Sequence, residues 1–587
     1  MPLFSWFGRR PPEHRLARPR RQGPPAEGFR PVLERLEDRT LLAGDFGFAV
    51  GVGGPLRDLA AAVATDSSGN AYVTGEFHGK VSFSPTVSLT SAGLADIFVA
   101  KYGSDGHLIW AQDMGGPGND AGTGIAVDTA GNVYAAGYFN GTAAFTTGHT
   151  LTSAGDRDIF VVKLDTAGNF VWADHMGGKG IDQAMGIAVD SSGNVYTTGY
   201  FQGTADFDPG SGSHNLTSAG NSDIFVEKLD SSGAFVWADR MGGKAMDRAR
   251  GITVDASGQV DVTGFFYSHT ANFNPGGTTN LTGAGNSDGF VEQLNNDGTF
   301  SFAKGVGGKG NDKGTAIAVD SSGNVYTTGF FTGTADFGVG SSGHTLTSAG
   351  GKDIFVAKLT SSGAFGFAER MGGKGDDEGR GIAVDSAGNV YTTGVFSGTA
   401  DFDPGSGSHT LTSRGHTDVF VSKLNASGAF VYAKQLGGPG ADVGRGIAVD
   451  TLGHVYAAGF FFQTANFDPG PGGHDLTSAG RQDIFLSQLT DDISPVAVND
   501  TATTTGTTPV NIDVTANDTD ADGTIDKTTV HIVSQPSNGA ISAVDATTGV
   551  VTYAANGGFT GTDSFTYTVK DNVGLVSNVA TVTVTVS

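Results

Sequence analysis

The 587-residue chain contains no cysteine, so no disulfide framework, CxxC redox pair or thiolate zinc site is open to it. A large domain does not need disulfides, and their absence therefore assigns no compartment. Charged residues are scarce, at 16%, and cations are the scarcer sign: 35 Lys and Arg against 60 Asp and Glu give a formal net charge of −25. That field repels nucleic acid and anionic lipid, and it favours solubility or cation binding. Nucleic acid is excluded as a partner on this ground. No apolar run approaches the ~20 residues needed to span a bilayer, so no transmembrane segment is expected. Residues 1–45 also lack the apolar core of an ordinary signal peptide. They are basic and proline-rich instead (Arg9, Arg10, Arg15, Arg18, Pro11, Pro12, Pro24, Pro25) and read as a disordered arm with an export or targeting role. No useful 3.6-residue apolar period is found between residues 46 and 490, which excludes a helical array there.

What the chain has in abundance is glycine, 93 residues of it, placed at regular intervals. The phrase Gly-Ile-Ala-Val-Asp, a short Gly-Asn turn, then Val-Tyr-Thr-Thr-Gly returns seven times. Its Asp falls at Asp66, Asp128, Asp190, Asp255, Asp320, Asp385 and Asp450, at steps of 62, 62, 65, 65, 65 and 65 residues. Such regularity means one supersecondary unit copied and stacked. Each copy holds four runs of strand length, in the third copy 186–190, 195–201, 223–229 and 235–241. Asp190-Ser-Ser-Gly193-Asn194 joins the first pair and Asp230-Ser-Ser-Gly233-Ala234 the second. Both are hairpin loops with Gly at hand for a left-handed position. A longer excursion, 203–220, holds two further strand-like phrases around Phe207 and Leu216. Four-stranded antiparallel units of this kind are propeller blades.

The ends of the array are permuted. It opens with a fourth-strand phrase at 46–54 and closes with a third-strand phrase at 483–489. The spare N-terminal strand is expected to complete the last blade, closing the ring and covering its edge. The segment 186–199 resembles the bacterial seven-bladed β-propeller (SBBP) repeat family, which implies the fold and a surface or secreted setting but no defined reaction. After a linker at 491–495, residues 496–587 alternate Thr and Val in short runs, as a β-sandwich does. Two stretches there, 510–523 and 561–571, resemble the bacterial cadherin-like and Ig-like modules of adhesins. Leu33-Glu34-Arg35-Leu36-Glu37-Asp38-Arg39-Thr40-Leu41-Leu42 partly matches the LEPR-xLL-type N-terminal motif of large bacterial surface proteins, with Glu-Asp-Arg for Glu-Pro-Arg. The expected fold class is all-β: a seven-bladed propeller over 46–490 closed by an N-terminal strand, then an Ig/cadherin-like sandwich.

Candidate chemistry is sparse. Asp518, Asp520 and Asp522, followed by Gly523 and by Asp526, set alternate carboxylates around a turn, as a hard oxygen-seeking cation requires. Thr529 stands where an EF-hand needs its bidentate Glu, so the reading is a structural calcium set against an acidic solvated turn. Asp58, Asp120, Asp182, Asp247, Asp312, Asp377 and Asp442 recur before each first strand. They make either a ring attracting cations or, more simply, one loop brace per blade. His149, His214, His344, His409 and His474 fall in five different blades and read as loop structure. Asp165 and Asp230 open turns that resemble the sialidase Asp-box with the wrong spacing, and no arginine cluster outside the repeat is discernible. The fourth copy departs most, with Asp261 for Tyr, Gly289 for Ile and an inserted Tyr267-Ser-His269, and it is the first place to look for a ligand.

These readings lead to a non-enzymatic exported or cell-surface protein, extracellular and bacterial. The propeller, monomeric, would present its long loops to a protein or glycan ligand, and the C-terminal module would serve as a calcium-assisted adhesive or spacer. The alternatives are an enzyme acting on extracellular polysaccharide at the channel mouth and a purely structural envelope component.

Overall fold

The computed structural model describes residues 45–338, 344–470, 473–490, 494–520, 524–571 and 576–587. The basic arm and its LEPR-xLL-like motif lie outside them. All regular structure among the described residues is β. Seven four-stranded antiparallel blades follow one another, each running from an inner to an outer strand. Blade 3 is representative, with strands Gln183–Val189, Val195–Phe201, Asp223–Leu229 and Phe235–Gly243 paired in sequence order. The inner strands touch one another around the whole ring, including blade 7 against blade 1.

The expected clasp is present. Asp45–Val52 pairs antiparallel with Asp483–Thr490, Val50 opposite Leu486, and becomes the outer strand of blade 7. Covering that edge removes the row of unpaired backbone groups that an open last blade would expose.

The repeated phrase is a turn brace. In blade 3, Asp190 Oδ1 accepts the amides of Ser192 and Asn194, and its Oδ2 accepts Asn194 Nδ2 at 2.7 Å and the Tyr196 hydroxyl at 3.0 Å. Gly193 between them has φ +80°, a left-handed conformation that glycine adopts without a steric penalty. The phrase thus ties a hairpin, a carboxylate and a wholly buried tyrosine into one unit per blade. Blade 4 replaces that tyrosine with Asp261, which is buried and accepts from Gln293 Nε2 at 3.1 Å instead.

The excursion between second and third strands is a small hairpin, Thr204–Asp206 with Asn215–Thr217 in blade 3. Rather than standing free, its first strand pairs with the end of the preceding blade's outer strand, Asp206 opposite Gly177 and Ala205 opposite Gly178. The double glycine that ends every outer strand is needed for this approach: a Cβ on Gly178 would lie 2.1 Å from the Thr204 carbonyl. Phe207 anchors the hairpin from beneath, wholly buried and ring to ring with Phe201 at 5.4 Å and Phe225 at 5.0 Å. Burying such a ring stabilises the hairpin by about 2–3 kcal/mol. Most apolar clusters between blades draw on two successive blades, as Ile159 and Met176 of blade 2 do with Ile187 and Phe201 of blade 3.

The C-terminal module is a sandwich of a four-stranded and a three-stranded sheet. Its first strand, Asp500–Thr504, lies parallel to the last, Ala580–Val586. Val514, Val551, Tyr553, Phe565, Tyr567 and Val582 fill the space between the sheets.

Candidate functional site

The ring of inner strands encloses a central cavity of about 440 Å3, within the size range of small-ligand sites. Every inner strand carries a β-bulge at the same place, where the pairing register skips one residue. A bulge re-aims the extra side chain, and here all seven line the cavity: Ala61, Thr123, Met185, Arg250, Thr315, Arg380 and Arg445. Two residues further on, Val63, Ile125, Ile187, Ile252, Ile317, Ile382 and Ile447 form an apolar collar. The glycine between bulge and collar, as Gly186 in blade 3, lets the next blade's isoleucine approach, since a Cβ there would sit 3.2 Å from Ile252 Cγ2.

The collar hardly varies around the ring, whereas the bulge residues do. Blades 1 to 3 present neutral groups. At the bulge, blade 5 is also neutral with Thr315, whereas blades 4, 6 and 7 present Arg250, Arg380 and Arg445; Lys313 of blade 5 adds a fourth cation beside them, relieved only by Glu378. Four cations against one carboxylate leave this cavity cationic in a chain of net charge −25. The bulk charge therefore misdescribes the channel, which is poised for anions. The rim repeats the pattern, with Lys313 Nζ 4.0 Å from the Phe265 ring centroid, Lys352 Nζ 4.7 Å from Phe330 and Arg445 Cζ 5.5 Å from Phe460. These are cation–π distances.

Glu378 is already engaged, with Lys352 Nζ at 2.6 Å and Arg380 Nη2 at 2.9 Å. Burial opposes its charge, but those two cations hold it below its ordinary value. Arg250 and Arg445 have no carboxylate partner among the described residues, and the Nε atoms of Arg380 and Arg445 are buried without a hydrogen bond. Burial, then the Arg380 charge, pushes the Arg445 guanidinium down to about 10, so it stays cationic at neutral pH. Burial likewise lowers Arg250, with Arg248 and Arg380 adding to the effect. The Arg380 charge acts on both Arg250 and Arg445, and all three line the same cavity.

The seven Asp residues before the inner strands do not form a cation-attracting ring. All are wholly buried, and each is a loop brace: Asp182 Oδ2 accepts Gly178 N at 2.7 Å and its Oδ1 accepts Gln202 N at 3.0 Å. His149, His214 and His409 bond the carbonyls of Ala173, Ala238 and Ala433 and lie against Phe170, Phe235 and Phe430. They are loop structure. Blade 4 does contribute to the channel, through Arg250 and Phe265, and its Tyr267 hydroxyl accepts a bond from the channel residue Lys313, Nζ at 3.0 Å. Asp261 faces away from it, toward Gln293. The arginine cluster, not discernible outside the repeat, lies inside it, at a channel position that varies between copies.

In the C-terminal module, Asp518 receives the Val498 amide at 2.7 Å and the Tyr567 hydroxyl at 2.9 Å. Both carboxylate oxygens of Asp520, and Oδ2 of Asp500, are buried without a hydrogen-bond partner. Burial, helped by the Asp518 charge, pushes Asp500 up to about 6. Asp526 is instead committed to its own turn, accepting from the Thr528 amide and hydroxyl. Asp522 lies outside the described residues. Among the described residues no three such side chains converge closely enough to hold a metal. The donors whose chemistry fits a hard cation are Asp518, Asp520 and Asp500, the last not singled out in the sequence.

Comparison with known proteins agrees with this architecture. A family model for a beta-propeller repeat matches residues 109–142, 176–203, 368–395 and 431–459, and one for a bacterial cadherin-like domain matches 492–587. An uncharacterized WD repeat-containing protein of Acanthamoeba polyphaga mimivirus is 31% identical over 154 residues, 24% of this chain and 11% of its own length. The regulatory protein FlaEY of Caulobacter vibrioides is 24% identical over 419 residues, 57% of this chain and 43% of its own. The chain thus spans less than half the length of either curated relative. The PQQ-bound form of aldose sugar dehydrogenase from Streptomyces coelicolor aligns with 62% of this chain and 94% of its own at 11% identity, with a TM-score of 0.27, too low to carry functional weight. The chain carries SBBP-type beta-propeller repeats, closed into one seven-bladed ring, followed by a bacterial cadherin-like domain.

Proposed function

We propose that this is a non-catalytic binding scaffold exposed outside the cell, taking its ligand at the channel mouth and using the C-terminal module as spacer or adhesive unit. One observation carries the reading. Seven near-identical blades keep their braces, clamps and collar, yet differ at the bulge residues that face the cavity. A purely structural ring has no need for that difference, whereas a ligand that lacks sevenfold symmetry does. The long excursions, clamped to the neighbouring blade, are weaker candidates than the mouth. The engaged state of Glu378 favours binding over hydrolysis, because glycoside hydrolysis requires a second carboxylate kept protonated as acid. Protease shaving of intact cells tests the setting: release of propeller fragments supports it, and full protection with a cytoplasmic fraction contradicts it.

Calcium belongs to the same proposal. Asp518 and Asp520, completed by donors outside the described residues, would hold the ion, which would relieve the cost of the buried, unpartnered Asp520 oxygens. Millimolar calcium is then expected to raise the melting temperature of the full chain's C-terminal transition. The rise should be lost in Asp520→Asn, and an unchanged midpoint would remove calcium from the account.

A further inference from the structure

We infer that the channel holds a small organic oxyanion, a carboxylate, sulfate or phosphate ester, gripped by Arg250, Arg380 and Arg445 above the isoleucine collar. The inference rests on the channel mouth being the ligand site, and it adds the chemistry of that ligand.

Three features support it independently. The first is position. The three arginines come from blades 4, 6 and 7, and 130 and 65 residues separate them in sequence, yet the same bulge delivers each to one cavity. The second is imbalance. Half-buried guanidiniums with no carboxylate partner among the described residues, as at Arg250 and Arg445, cost stability unless something compensates them. This chain has carboxylates to spare and places only Glu378 on the cavity wall. The third is shape. A guanidinium presents planar, paired donors that match a carboxylate or phosphate edge, and Arg380 and Arg445 keep their Nε groups unbonded. The neutral arc of Ala61, Thr123 and Met185 opposite, with Phe265 and Phe330 at the wall, gives room and apolar surface for an uncharged body. An oxyanion there would sit beside fixed cations against the channel wall, where its attraction to them exceeds that in bulk water. The overall charge of −25 opposes the approach of polyanions, which favours a small ligand over nucleic acid or an extended acidic polymer.

The test uses the full chain. Melting temperature is followed while glucuronate, glucose 6-sulfate, glucose 6-phosphate, inorganic sulfate and inorganic phosphate are titrated at constant ionic strength in chloride, with glucose as the neutral control. At least one organic anion is expected to raise the midpoint with the logarithm of its concentration above Kd, by about 3 °C at a hundredfold excess. Which of the three does so names the acid group. A response to the inorganic ions alone assigns the oxyanion but overturns the organic body. Arg445→Met and Arg380→Gln should weaken the response at least tenfold, while Thr123→Ala on the opposite arc leaves it intact. Arg445→Met should also melt higher than the parent without any anion, since it removes an uncompensated charge. A fall in the unliganded midpoint would make Arg445 a structural residue and overturn the proposal. So would equal responses to glucose and to the acids, an anion response unchanged in both arginine variants, or no response to any anion. Surface exposure is tested separately by shaving, so an anion-binding cytoplasmic protein would sink the scaffold's setting and leave this site standing.

Discussion

Two carboxylates do opposite work within one blade. The hairpin aspartate Asp190 is tied by Asn194 and Tyr196, and although burial opposes its charge, those bonds hold it below its ordinary value. Asp190→Ala is expected to cost about 2 kcal/mol, read from urea midpoints, because it strands several donors at once. Glu227 is the reverse case. It is wholly buried, with one oxygen bonded to Thr197 at 2.8 Å and the other unpartnered, and burial together with nearby Asp174 pushes it up to about 8. The folded chain then keeps a proton that the unfolded chain releases near 4.5. The contribution of Glu227 is therefore complete below that value and is lost as pH rises through about 8, at up to roughly 1.4 kcal/mol per pH unit. Glu227→Gln should stabilise the protein at pH 8 relative to the parent and change little at pH 4. Equal stabilities at pH 8 would mean the carboxylate is ionised and solvated in the fold.

At the level of the element, the outer-strand double glycine and the excursion hairpin form a blade-to-blade clamp repeated around the ring. Gly178→Ala drives a methyl into the Thr204 carbonyl and should cost about 2–3 kcal/mol, with hydrogen exchange rising first in the hairpin of blade 3. The strands, their hairpins and the extra hairpin were legible in the sequence because apolar alternation and turn glycines are local signals. The docking of that hairpin was not, since it depends on a carbonyl from the next blade. The channel arginines were hidden for a related reason. A single inner strand shows only an Arg between two small residues. The signal lay in comparing copies, Ala61 and Thr123 against Arg380 and Arg445 at one position of an otherwise strict phrase, and its meaning depends on a bulge that turns that position inward. In the C-terminal module, Asp518 and Asp520 were legible as a motif. Asp500 belongs to no such motif, and only the fold sets it within the field of Asp518.

For the whole molecule, ring closure and titration both have measurable consequences. The clasp was readable from strand bookkeeping alone, because an array that starts on a fourth strand and ends on a third has one way to close. Deleting residues 1–52 should expose the edge of Asp483–Thr490, lower the melting temperature and produce concentration-dependent association by light scattering. Many inter-blade carboxylates are pushed up to about 6, chiefly by burial: Asp158, Asp182, Asp377 and Asp442 among them. Their stabilising effect is complete below 3.8 and fades as pH rises through about 6. Hairpin aspartates such as Asp66, Asp128, Asp190 and Asp320 are held down instead, and theirs is lost below 3.8. Stability should therefore peak at about pH 4–5 and decline toward pH 8, a trend that urea midpoints at pH 4.5, 6 and 8 would reveal.

The central claim is that sevenfold symmetry is broken inside the channel in order to hold an anion. Its most direct test is anomalous diffraction from crystals of the full chain soaked in selenate, a tetrahedral oxyanion with a strong anomalous signal. The account predicts the strongest selenium peak on the channel axis side of Arg250, Arg380 and Arg445, absent from Arg445→Met crystals soaked in parallel. Selenium found only on the outer surface, with the channel free of it in the parent protein, would contradict the account.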